Sequence, residues 1–167
     1  MRTTKIVVFS DLHGREDRAR ELISRHRDAD AVLFLGDGLR DLPDEGGIAA
    51  VRGNCDFFGE GIPNERMLRF GEYTVMMMHG HTHSVKSGRA RAIRYASERG
   101  ANVLLYGHTH LPEEVYLPEG TEIDGYVLPR AMWVMNPGSL GEPRDGKPSF
   151  GLLQIRNGQI LLSHGTM

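Results

Sequence analysis

Cysteine is almost missing from this chain of 167 residues: Cys55 stands alone. One thiol makes no internal disulfide and no cysteine-based zinc cluster. The scarcity fits a reducing compartment, so a cytoplasmic protein is expected. Long apolar runs are missing too. Ile6-Val7-Val8-Phe9 is far too short for a secretory or membrane segment and meets Asp11 and His13 at once. It reads as a buried strand, and no membrane partner is expected. Nor is there an excess of one charge, since 20 Lys and Arg stand against 22 Asp and Glu, for a net −2. No global field draws the chain to nucleic acid, which is not an expected partner. An anionic substrate would need local positive charge, which a metal site could supply. Repeats, low-complexity tracts and a Walker-type Gly-rich loop are absent as well. What remains is an ordinary globular composition, 40% apolar and 25% charged. One domain over residues 1–167 is expected, large enough to bury about 70% of its unfolded surface.

The apolar runs that are present are short, and most end in a polar loop. Lys5 to Ser10 reads as a strand before Asp11-Leu12-His13-Gly14. Arg15 to Arg27 carries Ala19, Leu22 and Ile23 at helical spacing. Ala31 to Leu35 is a second strand, closed by Gly36-Asp37-Gly38, and Ile48 to Val51 a third, closed by Gly53-Asn54. Strand, helix, strand implies a parallel sheet in an α/β fold. The link from Gly38 to Gly47, with Pro43, Gly46 and Gly47, is short for a parallel crossover, so any helix there is at most one turn. The second half is richer in strands. Met67 to Phe70 and Tyr73 to Met78 predict a hairpin about Gly71-Glu72. Ser87 to Arg99 predicts a helix with Ala90, Ile93, Ala96 and Ser97 on one side and Gly100 as its stop. Strands follow at Val103 to Tyr106, Glu113 to Leu117, Ala131 to Met135, Phe150 to Ile155 and Gln159 to Leu162. Asn157-Gly158 is a strong hairpin turn between the last two. The order predicts two packed sheets with helices outside.

The polar residues fall where the strands end. Asp11 and His13 follow the first strand, Asp37 the second and Asn54 the third. His79 follows Met76-Met77-Met78, and His108 and His110 follow Val103 to Tyr106. Open α/β sheets bind ligands at the carboxyl ends of their strands, so five ends could converge on one crevice. Imidazoles favour manganese, iron, zinc or nickel over magnesium or calcium, and carboxylates accept any of them. Alternate residues in Asp11-x-His13 and His108-x-His110 face one way in extended backbone. Asp37 can give one oxygen to each of two ions, which sets them about 3.5–4 Å apart. Two divalent ions bring +4 and the two aspartates −2, and the remaining +2 suits a phosphate ester and a hydroxide.

Taken singly, each of these residues has a plainer reading. A lone Asp or Asn after a strand is usually a turn or cap residue, and a lone His is usually hydrogen-bonded or exposed. The complete set in this order is what favours a two-metal site. His26 and His164 read as surface residues, and His83 as outside the ligand set. Arg89, Arg91, Arg94 and Arg99 read as a solvated helix face without the aromatics of a nucleic-acid stripe.

Asp11-x-His13, Gly36-Asp37, Gly53-Asn54, His79-Gly80-His81 and Gly107-His108-Thr109-His110 resemble the successive blocks of the calcineurin-like metallophosphoesterase superfamily. Arg52-Gly53-Asn54-Cys55-Asp56 and Asn136-Pro137-Gly138-Ser139 resemble its small prokaryotic YfcE-type phosphodiesterase branch. The resemblance spans Asp11 to Ser139. It implies a four-layer α/β/β/α sandwich of two mixed sheets with flanking helices. It assigns Asp11, His13 and His110 to a first metal and Asn54, His79 and His108 to a second, with Asp37 as the bridge. It implies a hydrolase for phosphodiesters or activated phosphomonoesters, in which a metal-bridging hydroxide attacks phosphorus. The expected cofactors are two divalent ions, manganese first and iron, nickel or zinc otherwise. The expected partner is a small phosphate ester.

One residue departs from the pattern. Many members of the superfamily carry a His after the Asn as a leaving-group acid, where this chain has Cys55. A neutral thiol is a weak donor, so Cys55 is expected to be a small packing residue. His81 is the candidate substitute, and Asn54 a candidate phosphate contact. Two other readings stand beside the esterase: a binding scaffold on the same fold, as in a retromer subunit that has lost key ligands, and a metal-dependent nuclease. Retention of all seven ligand types argues against the first. The short length without a basic or capping domain argues against the second.

Overall fold

The computed structural model describes residues 2–44 and 47–167. In chain order the strands are β1 (Thr4–Phe9), β2 (Ala31–Phe34), β3 (Ile48–Ala50), β4 (Glu65–Phe70), β5 (Tyr73–Met78) and β6 (Val103–Leu105). They continue with β7 (Pro112–Leu117), β8 (Glu122–Ile123), β9 (Tyr126–Val127), β10 (Met132–Pro137), β11 (Ser149–Arg156) and β12 (Gln159–Thr166). Among the described residues two α-helices, α1 (Glu16–Arg25) and α2 (Ala90–Glu98), cover the outside. Neither they nor any other described helix is long and apolar enough to cross a membrane.

The strands form two five-stranded mixed sheets, ordered β12-β11-β1-β2-β3 and β4-β5-β6-β10-β7, plus the small β8-β9 hairpin. Each large sheet has a parallel centre. In the first, β1, β2 and β3 run parallel, with Val8 opposite Leu33 and Leu33 opposite Ala49. In the second, β5, β6 and β10 run parallel, with Met76 opposite Leu104 and Leu104 opposite Val134. Antiparallel strands close the flanks.

Continuous apolar strands follow from burial on both faces. Ile6 and Val8 point into the core between the sheets, while Val7 and Phe9 point to the α1 side. Likewise Met77 lies between the sheets, and Met76 and Met78 pack under α2. The methionine run is therefore strand core on two faces, as its sequence suggests. Three cores separate four layers, α1, sheet, sheet and α2, which is the expected α/β/β/α sandwich.

The helices follow their apolar stripes. Ala19 and Leu22 are the buried residues of α1, and Ala92, Ile93 and Ala96 those of α2. The second helix begins later than its periodicity predicts. Val85–Ser87 is a separate 3-10 turn, and Gly88, at φ 128°, breaks it from the helix. Gly100, at φ 87°, stops the helix as expected, its amide bonding the Ser97 carbonyl at 2.9 Å. The link after β2 holds one 3-10 turn, Leu39–Asp41, and Gly46 within that link lies outside the described residues. The hairpin through Asn157-Gly158 forms, but β12 runs to Thr166, further than predicted.

Two histidines depart from expectation. His164 lies in β12 rather than on the open surface, and its Nε2 donates to the Asn136 carbonyl at 2.7 Å. His26 is half-buried with its ring 5.2 Å from that of Phe150. Arg89 also leaves the solvated helix face to pair with Glu113, which accepts from the Tyr106 hydroxyl at 2.6 Å.

Leu105, fully buried between the sheets, gives a direct test of the packing. Leu105→Ala should cost about 2–5 kcal/mol of unfolding free energy. Leu161→Ala, at a side chain 62% exposed, should cost less than about 0.5 kcal/mol. Urea unfolding of both variants beside the parent checks this; equal midpoints would contradict the layer assignment.

Candidate metal centre

The parallel strands of both sheets end at one edge, and there the chain turns sharply. Asp11, His13, Asp37, His108 and His110 all have left-handed backbone, at φ 57°, 42°, 63°, 73° and 61°. Such residues are uncommon, although Asp and His tolerate the region better than most. Five in one cluster indicate a backbone held for the sake of its side chains.

The turns are bonded to one another. Asp11 N donates to Gly36 O at 3.0 Å, Leu12 N to Asp37 O at 2.9 Å and Gly107 N to His79 O at 3.0 Å. The segment after β10 closes over the first loop. Leu140 N reaches Ser10 O, and Gly141 N and the Ser139 hydroxyl both reach Asp11 O, all within 3.0 Å. Asn136 is fully buried and donates to Gly107 O and Thr109 Oγ1 at 3.1 and 2.9 Å. Two glycines leave the necessary space. A Cβ at Gly53 would overlap Asp37 Oδ1, and one at Gly107 would overlap Ser10 Oγ.

All seven residues singled out as ligands come together, in two groups. Asp11 Oδ1 lies 3.2 Å from His110 Nε2 and 3.7 Å from His13 Nε2, and these two nitrogens are 3.3 Å apart. Asp37 Oδ2 lies 3.2 Å from His79 Nε2, which is 3.2 Å from His108 Nδ1 and 3.0 Å from Asn54 Oδ1. Asp37 stands between the groups, with Oδ2 also 3.8 Å from His13 Nε2. Asp11, Asp37 and His79 are buried, His13, His108 and His110 half-buried, and Asn54 exposed.

Further hydrogen bonds aim these side chains. His79 Nδ1 donates to Leu35 O at 2.8 Å and His110 Nδ1 to Glu142 O at 2.6 Å. Each ring is thereby fixed as the tautomer whose Nε2 lone pair faces the cluster. The Cys55 amide donates to Asp37 Oδ1 at 2.8 Å. The Ser10 hydroxyl and the His108 amide donate to Asp11 Oδ2 at 2.7 and 3.1 Å.

The electrostatics describe a site awaiting positive charge. Burial alone would raise the Asp11 pKa, but His110, His13, His79 and Ser10 outweigh it and hold the carboxyl well below its usual range. Asp37 is likewise held low against its burial, chiefly by His79. His13 and His110 are raised by their contact with Asp11. His79 is raised, the two aspartates outweighing its burial. His108 goes the other way, lowered to about 4 by burial and by His79, so its imidazole is neutral at neutral pH, with one ring nitrogen carrying a free lone pair.

The donor set suits divalent ions. Among the described residues Asp11 Oδ1 finds no hydrogen-bond partner though it is buried, an expensive arrangement unless a cation faces it. Among the described residues, Asp11 with His13 and His110, and Asp37 with His79 and His108, each gather donor atoms within 4.8 Å of one another. A third grouping joins His13, Asp37 and Cys55. Carboxylate with imidazole is chemistry that suits manganese, iron, zinc or nickel.

Neighbouring residues complete the wall. His81 stands in a 3-10 turn, its ring 5.4 Å from His79 and 6.3 Å from His108. Its Nδ1 is buried with no partner among the described residues, and burial and His79 lower its pKa. His83 faces away, with its ring 4.2 Å from that of Tyr95. Cys55 is exposed rather than packed, because its backbone is drawn to Asp37 and its side chain left at the pocket rim. Burial and Asp37 raise its thiol pKa.

Asp56 is a residue whose role the sequence does not reveal. Its carboxylate accepts from the amides of Asp37, Gly38 and Gly53 at 2.8 Å and of Leu39 at 3.0 Å. It thus fastens the loop after β2 to the loop after β3. In sequence it is an ordinary turn aspartate, and the only signal was its place in the Arg52-to-Asp56 block.

Comparison with known proteins identifies the family. Residues 4–158 match the model of the calcineurin-like phosphoesterase superfamily domain, and the chain belongs to that superfamily. YsnB of Bacillus subtilis (strain 168), described as a probable metallophosphoesterase, is 30% identical over 156 residues, covering 91% of this chain and 85% of that protein. The crystal structure of a predicted phosphoesterase from Streptococcus pneumoniae TIGR4 superposes with a TM-score of 0.79 at 27% identity, covering 99% of this chain and 91% of that one. Yfce, a phosphoesterase from E. coli, shares the fold at a TM-score of 0.59 and 22% identity, covering 97% and 98% of the two chains. The family and the probable metallophosphoesterase relative together support a hydrolase that works with divalent metal, and Yfce shares its fold.

Asp56→Asn removes one of the two oxygens that hold the loops and turns an amide donor toward other donors. It should cost about 1–3 kcal/mol of stability. Thermal unfolding of variant and parent measures it, and an unchanged midpoint would contradict the fastening role.

Proposed function

We propose that the chain hydrolyses phosphodiesters or activated phosphomonoesters at a dinuclear centre, with manganese as the preferred ion. The observation that supports this best is the division of the donors into two groups with Asp37 between them and Asp11 Oδ1 unpartnered. Asp11, His13 and His110 would hold one ion, Asn54, His79 and His108 the other, and Asp37 would serve both. When bound, such ions supply a water-derived nucleophile at neutral pH and positive charge for the phosphoryl oxygens.

The chain's own residues set the rest. The carbonyls of Leu35 and Glu142 keep His79 and His110 aimed inward. Asn54, exposed beside His79, can donate from its amide to a phosphate oxygen. His81 is the nearest candidate for a leaving-group acid, but burial and His79 keep it neutral at physiological pH. The Cys55 thiol, raised in pKa, is a poor donor. With little acid assistance, esters whose leaving groups need no proton are favoured. The retained donor set favours the esterase over a metal-free scaffold. A small phosphate ester is the partner this site suits, at a net protein charge of −2.

Manganese-dependent hydrolysis of bis-nitrophenyl phosphate and nitrophenyl phosphate tests the activity, and Asp37→Asn should lower turnover by orders of magnitude while the fold persists. A parent inactive with manganese, iron, nickel and zinc would favour the scaffold reading. A variant with near-parental turnover would remove Asp37 from the centre.

Proton linkage gives a second test. His13, His79 and His110 are raised above the ordinary 6.5, so they keep protons to higher pH in the metal-free protein. Metal must displace those protons, so affinity should fall as pH drops through the raised values. Calorimetry of manganese binding near pH 7, in buffers of different ionisation enthalpy, should report proton release; none would contradict the ligand set.

Leaving-group dependence gives a third. Cys55→His should raise turnover of alkyl esters more than that of aryl esters, since general acid assistance is typically worth about 10²–10⁴-fold. Esters of graded leaving-group pKa, run on both proteins, measure it. A shallow dependence shared by both would show another donor already at work.

A further inference from the structure

Phe57 and Phe58 are 84% and 63% exposed, two adjacent large aromatic side chains beside the rim residues Cys55 and Asp56. A pair of open phenylalanines is a costly thing to present to water without a use. Nor do they hang on a loose loop. The Arg52 guanidinium donates to the carbonyls of Asp56 at 2.8 Å and Phe58 at 3.2 Å, and also to that of Gly59. The Asp56 carboxylate ties the same segment to the loop carrying Asp37. The backbone on either side of the aromatic pair is thus tied to the frame that positions the metal donors.

The pair is also continuous with the site. A cavity of about 230 Å³ is lined by His13, Asp37, Arg40, Cys55 and Asp56, among others. Arg40 links this cavity to the aromatic pair: its guanidinium lies over the Phe58 ring, 5.3 Å from the centre, and Phe58 is still 63% exposed beside it. Donors for metal, a guanidinium and an aromatic shelf therefore follow one another along a single path. Guanidinium recognises phosphate, and an exposed ring accepts a planar heterocycle by stacking.

We infer that this path is a recognition site for the nucleoside part of a nucleotide phosphate ester. Phosphate lies at the metal centre, Arg40 faces the phosphate or sugar, and the base stacks on Phe58 with Phe57 beside it. This rests on the phosphoesterase reading and narrows its substrate class. A nucleoside 5′-phosphodiester fits the path, with the bond to the other alcohol as the one broken. Water adds to phosphorus, the alcohol departs with a proton, and the nucleoside monophosphate stays on the shelf until release.

The test compares two esters with one leaving group, thymidine 5′-nitrophenyl phosphate and methyl nitrophenyl phosphate, in the manganese-loaded protein. The nucleoside ester should show the higher kcat/KM by roughly tenfold, mainly through KM, as one stacked base would give. Phe58→Leu keeps an apolar side chain but loses the ring, and should bring the ratio of the two kcat/KM values toward one. Phe58→Trp should keep it. Calorimetry gives a readout apart from turnover: thymidine 5′-monophosphate should bind more tightly than methyl phosphate, and the difference should shrink in Phe58→Leu. Equal kcat/KM for the two esters in the parent overturns the inference and leaves the phosphoesterase reading intact. A ratio unchanged in Phe58→Leu overturns it too. Hydrolysis of neither ester defeats the phosphoesterase reading, and calorimetry alone then decides: equal affinities overturn the shelf, and a difference lost in Phe58→Leu supports it.

Discussion

Two buried carboxylates at the seam of two sheets govern this structure. Asp11 and Asp37 sit at the ends of neighbouring parallel strands, nearly without solvent. A buried carboxylate is costly unless positive charge or hydrogen bonds face it. Here the opposing groups are four imidazoles carried mostly by the other sheet. Two histidines follow β6, one follows β5, and only His13 shares a loop with an aspartate. Each sheet thus supplies what the other lacks. The inner core of Ile6, Val8, Val75, Met77, Val103 and Leu105 holds their edges in register. Packing between the sheets and chemistry at their edge are one constraint seen at two places.

The backbone carries the same constraint. Left-handed backbone at five of the cluster residues turns the chain sharply where the strands end. Hydrogen bonds from the segment after β10 and from Asp56 keep those turns from relaxing. The rim is built on the same frame. Arg52 holds the carbonyls of Asp56 and Phe58, and Asp56 ties that segment to the loop after β2, so the aromatic pair and the donor cluster share one hydrogen-bonded backbone.

Much of this was legible in the sequence because the strands are buried on both faces. Val103 to Leu105 and Val75 to Met78 read as unbroken apolar runs, and the first polar residue beyond each marks the sheet edge. The convergence of the seven candidate ligands follows from that pattern and strand order. What was not legible depends on contacts between distant residues. Asp56 looks like any turn aspartate until its bonds to Asp37 and Gly38, 19 and 18 residues away, are seen. Cys55 reads as a packing residue because small and apolar, but its amide is committed to Asp37 and its side chain must face outward. His164 reads as part of a polar tail because alternation is weak beyond Leu162, while pairing with β11 carries the strand on. The two-residue strands β8 and β9 are too short to leave a periodic signal.

The central claim is that the two donor groups bind two ions as a pair, with Asp37 between them. Electron paramagnetic resonance during manganese titration of the intact protein addresses it most directly. The account predicts saturation at two ions per chain, with the spectrum of a spin-coupled pair that is lost in Asp37→Ala. Saturation at one ion, or two ions that remain magnetically independent in the parent protein, would contradict it.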